Sequence, residues 1–265
     1  MSRDLVDEEP ATGGLPAPGE AVGVVSPHMD DAALSCGSFL AARPGSHVVT
    51  LFSGGPSSVR PLPEWDLLSQ VFSAGDDVMA IRAVEDDDAM AAVGAVGLRL
   101  DFWDEQYRAG PPVRHARYRP LAVRLRQARL DRPALLNEID QKLARTVEQL
   151  PFRTWLVPLG LWHGDHFKTA AACLRLARRR PDLNWVVYEE LPYRIEVPNQ
   201  VAEGRARLQA AGFGFQEVLV PPPERPSLKR AMVASYRSQL PALGRRVDVA
   251  LAQPEVFLVL GGLAP

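Results

Sequence analysis

Short apolar runs of strand length alternate with longer runs of helical period along this chain, and that alternation narrows its fold more than any other feature. Strand-like runs stand at Val22–Ser26, His47–Phe52, Leu98–Trp103, Thr154–Pro158, Trp185–Tyr188 and Phe215–Val220. Helical patterns fill the gaps at 31–42, 78–96, 133–150, 166–180 and 201–212, with a further candidate at 227–240 before a late apolar run, Val256–Leu260. Strands that alternate with helices predict βα units, hence a mainly parallel sheet covered by helices on both faces, a Rossmann-like α/β fold. A length of 265 residues suits one such domain. Residues 1–20, rich in Pro, Gly and acidic side chains, are expected to form a loose leader, leaving 21–265 as the folded domain. The stretch 104–132 has no clear period and reads as an insertion near the mouth of a site, carrying Tyr107, Arg108, His115, Arg117 and Tyr118.

Charge and cysteine content bound the partners. Lys and Arg total 30 against 32 Asp and Glu, so no basic surplus recruits nucleic acid or an acidic membrane. The first residues lack the apolar core of a signal peptide, and no window nears the ~18 apolar residues of a membrane span. Cys36 and Cys173 both fall inside apolar helical patterns, which reads as two buried thiols in a reducing compartment. A cytoplasmic protein with a small-molecule substrate is expected; a homo-oligomer is left open.

Two turns carry the chemistry. Pro27-His28-Met29-Asp30-Asp31 joins the first strand to the first helix, and His163-Gly164-Asp165-His166 follows the apolar run Trp155-Leu156-Val157-Pro158-Leu159. Three of the five histidines lie in these two turns. Ligands of open parallel sheets bind beyond the carboxyl ends of the strands. Two such turns opposite one another can hold a His/Asp/His zinc with a position left for water. His28 and Asp31 sit three apart at a helix start, where both can reach one ion, while Asp30 between them points differently. Either aspartate alone would read as an N-cap, but capping needs only one carboxylate. His163 and His166 repeat the spacing; Asp165 between them suits a helix cap or an acceptor for the Nδ1 proton of an active-site histidine. His47 and His115 are isolated and not expected at a metal. The acidic run Glu85-Asp86-Asp87-Asp88 lies inside a helical pattern and reads mostly as a solvated face.

These motifs resemble those of the LmbE-like, or PIG-L, family of zinc-dependent N-deacetylases, with Pro27 to Ala32 matching its Pro-His-x-Asp-Asp-Ala segment and His163 to His166 its His-x-Asp-His segment. Val48 to Gly54 is similar to the second strand and its glycine loop, Arg82-Ala83-Val84-Glu85 to an Arg-x-x-Glu helix, and Trp103-Asp104 to an acidic position after the next strand. Tyr188-Glu189-Glu190-Leu191-Pro192-Tyr193 is similar to a segment near the family's site. The resemblance spans roughly 21–240 and implies an LmbE-like fold. It implies zinc held by His28, Asp31 and His166, and Asp30 as general base. His163 would stabilise the oxyanion or protonate the leaving amine, and Arg82 and Asp104 would contact a sugar. The chain departs from the pattern at Ala33, at Ser38, in the loop Ser53-Gly54-Gly55 and at Leu161-Trp162, which leaves the substrate open.

The implied reaction removes the acetyl group from an N-acetylated amino sugar or a sugar-containing metabolite. Hydrolysis of another amide or of a thiol conjugate fits the same site. A silent sugar-binding homologue does not need Asp30 and His163. Trp103, Tyr107 and Trp162 can offer flat faces to a sugar, although core packing is expected for any one of them.

Overall fold

The computed structural model describes residues 14–55, 77–108, 133–191, 193–222 and 227–263. His115, Arg117 and Tyr118, with the rest of 109–132, lie outside them. The described strands are β1 (Gly23–Ser26), β2 (His47–Thr50), β3 (Val96–Arg99), β4 (Thr154–Pro158), β5 (Asn184–Tyr188), β6 (Phe213–Val220) and β7 (Glu255–Leu263). They form one sheet in the order β3-β2-β1-β4-β5-β7-β6. The first five are parallel to one another; β7 runs antiparallel to both β5 and β6.

The helices that position the site are α1 (Asp31–Ala41), α2 (Val78–Ala91), α3 (Glu105–Arg108), α4 (Pro133–Gln149), α5 (Gly164–Arg179), α6 (Tyr193–Glu196), α7 (Pro198–Ala210) and α8 (Ser227–Ala234). Two short turns, α9 (Leu240–Leu243) and α10 (Arg246–Ala252), precede β7. Alternate residues of each central strand feed two cores. Val24, Val48, Leu156 and Val186 pack with α1, α8 and α10 on one face. Val25, Val49, Val157 and Val187 pack with α4, α5 and Leu208 on the other. Strands buried on both faces read as unbroken apolar runs, as these did. Of the segment read as a leader, residues 14–20 are described: Leu15 is buried and Gly19 donates to the Ala42 carbonyl at 2.8 Å.

Several boundaries differ from the sequence reading, and three show why. Helix α2 stops at Ala91 rather than 96, because Gly94 takes a left-handed φ of 67° and turns the chain into β3. Strand β3 starts at Val96 and not Leu98, set by its register with His47. The candidate helix at 227–240 ends at Ala234, short of the turn that carries Tyr236. The acidic run is also not a solvated face throughout. Glu85 accepts from Ser238 N and Oγ, and Asp86 meets Tyr236 and Arg99, so both are buried. The segment after α8 supplies Ser238 as donor to Glu85 and Tyr236 as partner to Asp86. No described helix is long and apolar enough to cross a membrane.

The strand order fixes where a ligand can go. From β1 the chain winds outward through β2 to β3, then returns to β4 and winds the other way to β5. The switch lies between β1 and β4, where the loops diverge and leave a crevice at the carboxyl ends. One histidine turn follows β1 and the other follows β4.

Candidate metal centre

The β1–α1 turn is built around a buried Met29. Tyr236 Oη lies 2.6 Å from its carbonyl, and Ser26 Oγ accepts from Ala32 N at 3.1 Å. The Asp31 carboxylate reaches back to accept the His28 backbone N–H at 2.9 Å, while Asp30, at the N-cap position, makes no side-chain cap. One aspartate therefore fixes the turn, and the other takes no part in capping the helix. The second turn leaves β4 through Gly160, whose φ of 86° and closeness to α5 (an added Cβ would stand 2.7 Å from the Ala170 Cβ) exclude a side chain. The N-cap of α5 is His163, whose Nδ1 accepts from Asp165 N at 3.4 Å, so Asp165 is not the cap.

Asp31 Oδ2 lies 3.3 Å from His28 Nδ1 and 3.3 Å from His166 Nε2. The second nitrogen of each ring rests on a further carboxylate: His28 Nε2 is 3.4 Å from Asp165 Oδ2, and His166 Nδ1 is 3.2 Å from Glu190 Oε1. Asp165 thus meets an imidazole as expected, through Nε2 of His28 rather than a Nδ1. The His28 ring centroid is 5.0 Å from that of His163, and ligand atoms of His28, His163 and His166 lie within 4.8 Å of one another. Asp104 Oδ2 stands 3.7 Å from His28 Nε2 and 3.8 Å from Arg82 Nη1, which brings both expected substrate contacts to the same cleft. His28, Asp31, Arg82, Asp104, His163, Asp165 and His166 come together here, and Asp30 feels the charges of His28, Asp31 and Arg82.

Two participants escaped the sequence reading, and a third, Arg108, was read only as part of an insertion near the mouth of the site. Glu190, fully buried, was noted only as part of a segment. Glu105 lies with its Oε2 3.3 Å from His163 Nδ1, and Arg108 pairs with the Asp165 carboxylate. Arg108 and Glu105 belong to α3, a helix of four residues too short to show a period. Trp103 and Trp162, expected in the core, are 48% and 43% exposed at the rim.

Charges in this cleft are strongly coupled. Burial alone lowers the pKa of His28, but the carboxylates of Asp104, Asp165 and Asp31 override it and raise it well above the ordinary imidazole value. His166 is raised in the same way by Asp31 and Glu190 against its burial. Burial pushes Asp31 and Asp165 upward, yet the adjacent imidazoles hold both well below the usual carboxylate range. Asp30 goes up, through burial and the charge of Asp31. His163 goes down, chiefly through burial.

The residues fit zinc. Bonds of about 2.0–2.1 Å to a tetrahedral ion hold neighbouring donors about 3.3 Å apart, which matches both spacings around Asp31 Oδ2. His166 Nε2 is buried and makes no hydrogen bond among the described residues; its charged neighbour is the Asp31 carboxylate at 3.3 Å, and an ion between the two would satisfy both. Imidazoles that hold protons beside carboxylates release them to a divalent cation. Carboxylates behind both rings orient them, as at zinc centres in general.

The same arrangement of elements recurs in solved deacetylases. The deacetylase of the A40926 pseudoaglycone superposes with a TM-score of 0.65 at 20% identity, over 93% of this chain and 99% of that one. A deacetylase of teicoplanin biosynthesis gives 0.67 at 20% identity, covering 91% and 98%. Its complex with teicoplanin gives 0.64 at 19% identity, covering 92% and 100%. The chain has the LmbE-like deacetylase fold. No protein-family model and no curated protein matches the sequence, so the likeness is one of structure. Within the deacetylase fold the buried cluster occupies the switch-point crevice, and the match extends over nearly the full length of each solved chain.

Proposed function

We propose that this protein is a zinc-dependent N-deacetylase acting on an N-acetylated amino sugar or a sugar-containing small molecule. The observation that carries the reading is Asp31 Oδ2 at 3.3 Å from both His28 Nδ1 and His166 Nε2, with Asp30 beside them and left out of the cap. His28, Asp31 and His166 would hold the ion. Bound there, zinc supplies Lewis acidity toward the amide carbonyl and a water of lowered pKa.

The rest of the chemistry belongs to side chains. Asp30 takes the proton as water attacks; its burial and its neighbour Asp31 lift its basicity above that of a free carboxylate, which suits a general base. His163, once its Nδ1 carries a proton toward Glu105 Oε2 at 3.3 Å instead of accepting the Asp165 N–H, serves the oxyanion and then the leaving amine. Arg82 and Asp104 bind hydroxyls of the sugar that bears the amide. The glycopeptide-pathway deacetylases sharing the fold support an acetylated conjugate as substrate. Free, buried Cys36 and Cys173 accord with a reducing, cytoplasmic setting.

A screen of N-acetylated sugars and glycosides for acetate release tests the reading. Acetate release that follows added zinc and stops with a chelator is expected, with about one zinc per chain in the purified protein. His28→Ala and His166→Ala should each lose the metal. Full retention of zinc in both variants would remove the ligand assignment, and a screen with no acetate from any substrate would remove the activity.

A further inference from the structure

Trp162 holds a backbone conformation that large side chains rarely adopt. Its φ is 76°, in the left-handed region that favours glycine, one residue before His163. Gln200 Oε1 fixes the turn by accepting the Trp162 N–H at 2.8 Å. The indole is not spent on the core, since the residue is 43% exposed. Instead it stacks on Tyr193, with ring planes 6° apart and centroids at 5.6 Å, and Tyr193 in turn meets His166 edge-on at 5.2 Å. The Arg246 guanidinium stands 5.7 Å from the Trp162 ring and 5.9 Å from Tyr193, tethered to Glu196 by two bonds of 2.7 and 3.0 Å. Glycine would satisfy this turn without strain, so the indole is kept for what it touches.

We infer that Trp162, backed by Tyr193 and Arg246, is a stacking subsite for a second ring of the substrate, beyond the unit that carries the acetamide. The inference rests on the deacetylase reading and narrows it to conjugates, such as an aryl glycoside. The spacing argues for a second ring. Tyr193 covers one face of the indole and meets His166, so a ring laid on the other face has two aromatic side chains between it and His166, farther out than the unit that brings its acetamide to the metal. An aromatic platform framed by a guanidinium that its own carboxylate already neutralises favours a flat, uncharged ring over an anion. Sugar and aryl rings share the chemistry of a face laid on an indole, and the experiment separates them.

Calorimetric binding to the zinc-loaded protein would compare three deacetylated, unreactive probes: glucosamine, its p-nitrophenyl glycoside and a chitosan disaccharide. Either two-ring probe should bind about tenfold more tightly than glucosamine, the worth of one stacked ring. The one that does identifies the second ring as aryl or sugar. Trp162→Gly should abolish that advantage while leaving thermal stability equal or higher, because strain is relieved. Trp162→Phe should restore most of it. Equal affinity for all three probes overturns the inference, as does an advantage that survives Trp162→Gly. Lost stability in Trp162→Gly with unchanged discrimination would mark the indole as structural, and also overturns it. Turnover is measured separately: acetate release without discrimination sinks the subsite alone, whereas discrimination without acetate release sinks the deacetylase reading alone.

Discussion

Oε1 of Glu190 accepts the backbone N–H groups of Gly160 and Leu161 at 2.9 and 3.0 Å and lies 3.2 Å from His166 Nδ1. One oxygen therefore ties the β4 turn to the ring that α5 presents. Glu190→Gln can keep the two backbone bonds through its amide oxygen but loses the charge behind the imidazole. The expected result is a folded protein whose zinc affinity falls by about 10- to 100-fold, read by competition with a chromophoric chelator. Unchanged affinity would show that the carboxylate serves the turn alone. Asp30→Asn separates binding from chemistry in the other direction: it should retain zinc and lose about 10²- to 10⁴-fold in turnover, and a near-normal rate would discharge Asp30 as base. The proposed metal ligands were legible in sequence because one strand-to-helix turn packs two of the three into four residues. Glu190 was not, because its partners lie 24 to 30 residues away and only the strand order brings them together.

At the scale of elements, α1 owes its placement to a buried ion pair at the start of β7. The Glu255 carboxylate accepts from Ser38 N at 2.7 Å and Phe39 N at 2.9 Å and meets Lys229 Nζ of α8 at 2.8 Å. Gly37 makes the crossing possible, since an added Cβ would stand 2.7 Å from Lys229 Cγ. Helix α1 begins at Asp31, beside His28 and His166, so this clamp also steadies the candidate site. Glu255→Gln leaves the Lys229 ammonium buried without a counter-charge and should cost about 3–5 kcal/mol in urea unfolding. Replacing both partners, by Lys229→Met with Glu255→Gln, should cost less than Glu255→Gln alone. If the double variant proves the less stable of the two, the penalty is not an unpaired charge. The sequence revealed where α1, α4 and α5 lie, since their apolar periodicity is written locally. It did not reveal that β7 inserts between β5 and β6, because antiparallel pairing at a sheet edge depends on contacts across the whole chain.

Across the whole molecule, the segment after α8 is joined to the β1–α1 turn by Tyr236, whose hydroxyl lies 2.6 Å from the Met29 carbonyl, 207 residues away in sequence, and 2.8 Å from Asp86 Oδ1. One hydroxyl proton cannot serve two acceptors, so a proton on Asp86 completes the network by donating to Tyr236 while Tyr236 donates to Met29. Burial pushes the Asp86 carboxyl up to about 6, in spite of Tyr236 and Arg99, which pull it down. The sign follows. Below the unfolded carboxyl pKa of about 3.9 both states carry the proton and Asp86 imposes no penalty. As pH rises from there toward 6 the unfolded chain ionises first, and stability falls. Above 6 the full penalty stands, about 2–3 kcal/mol for a shift of roughly two units. Asp86→Asn is neutral throughout and can still donate to Tyr236, so it should show no such loss. The comparison to make is the unfolding free energy of Asp86→Asn minus that of the parent protein, from about pH 4 to about pH 7. It should grow by about 2–3 kcal/mol over that interval, with other titrating groups cancelling in the difference. A difference that stays flat with pH would mean that Asp86 is ionised in the folded protein throughout, and that the Met29 carbonyl is held without help from its proton.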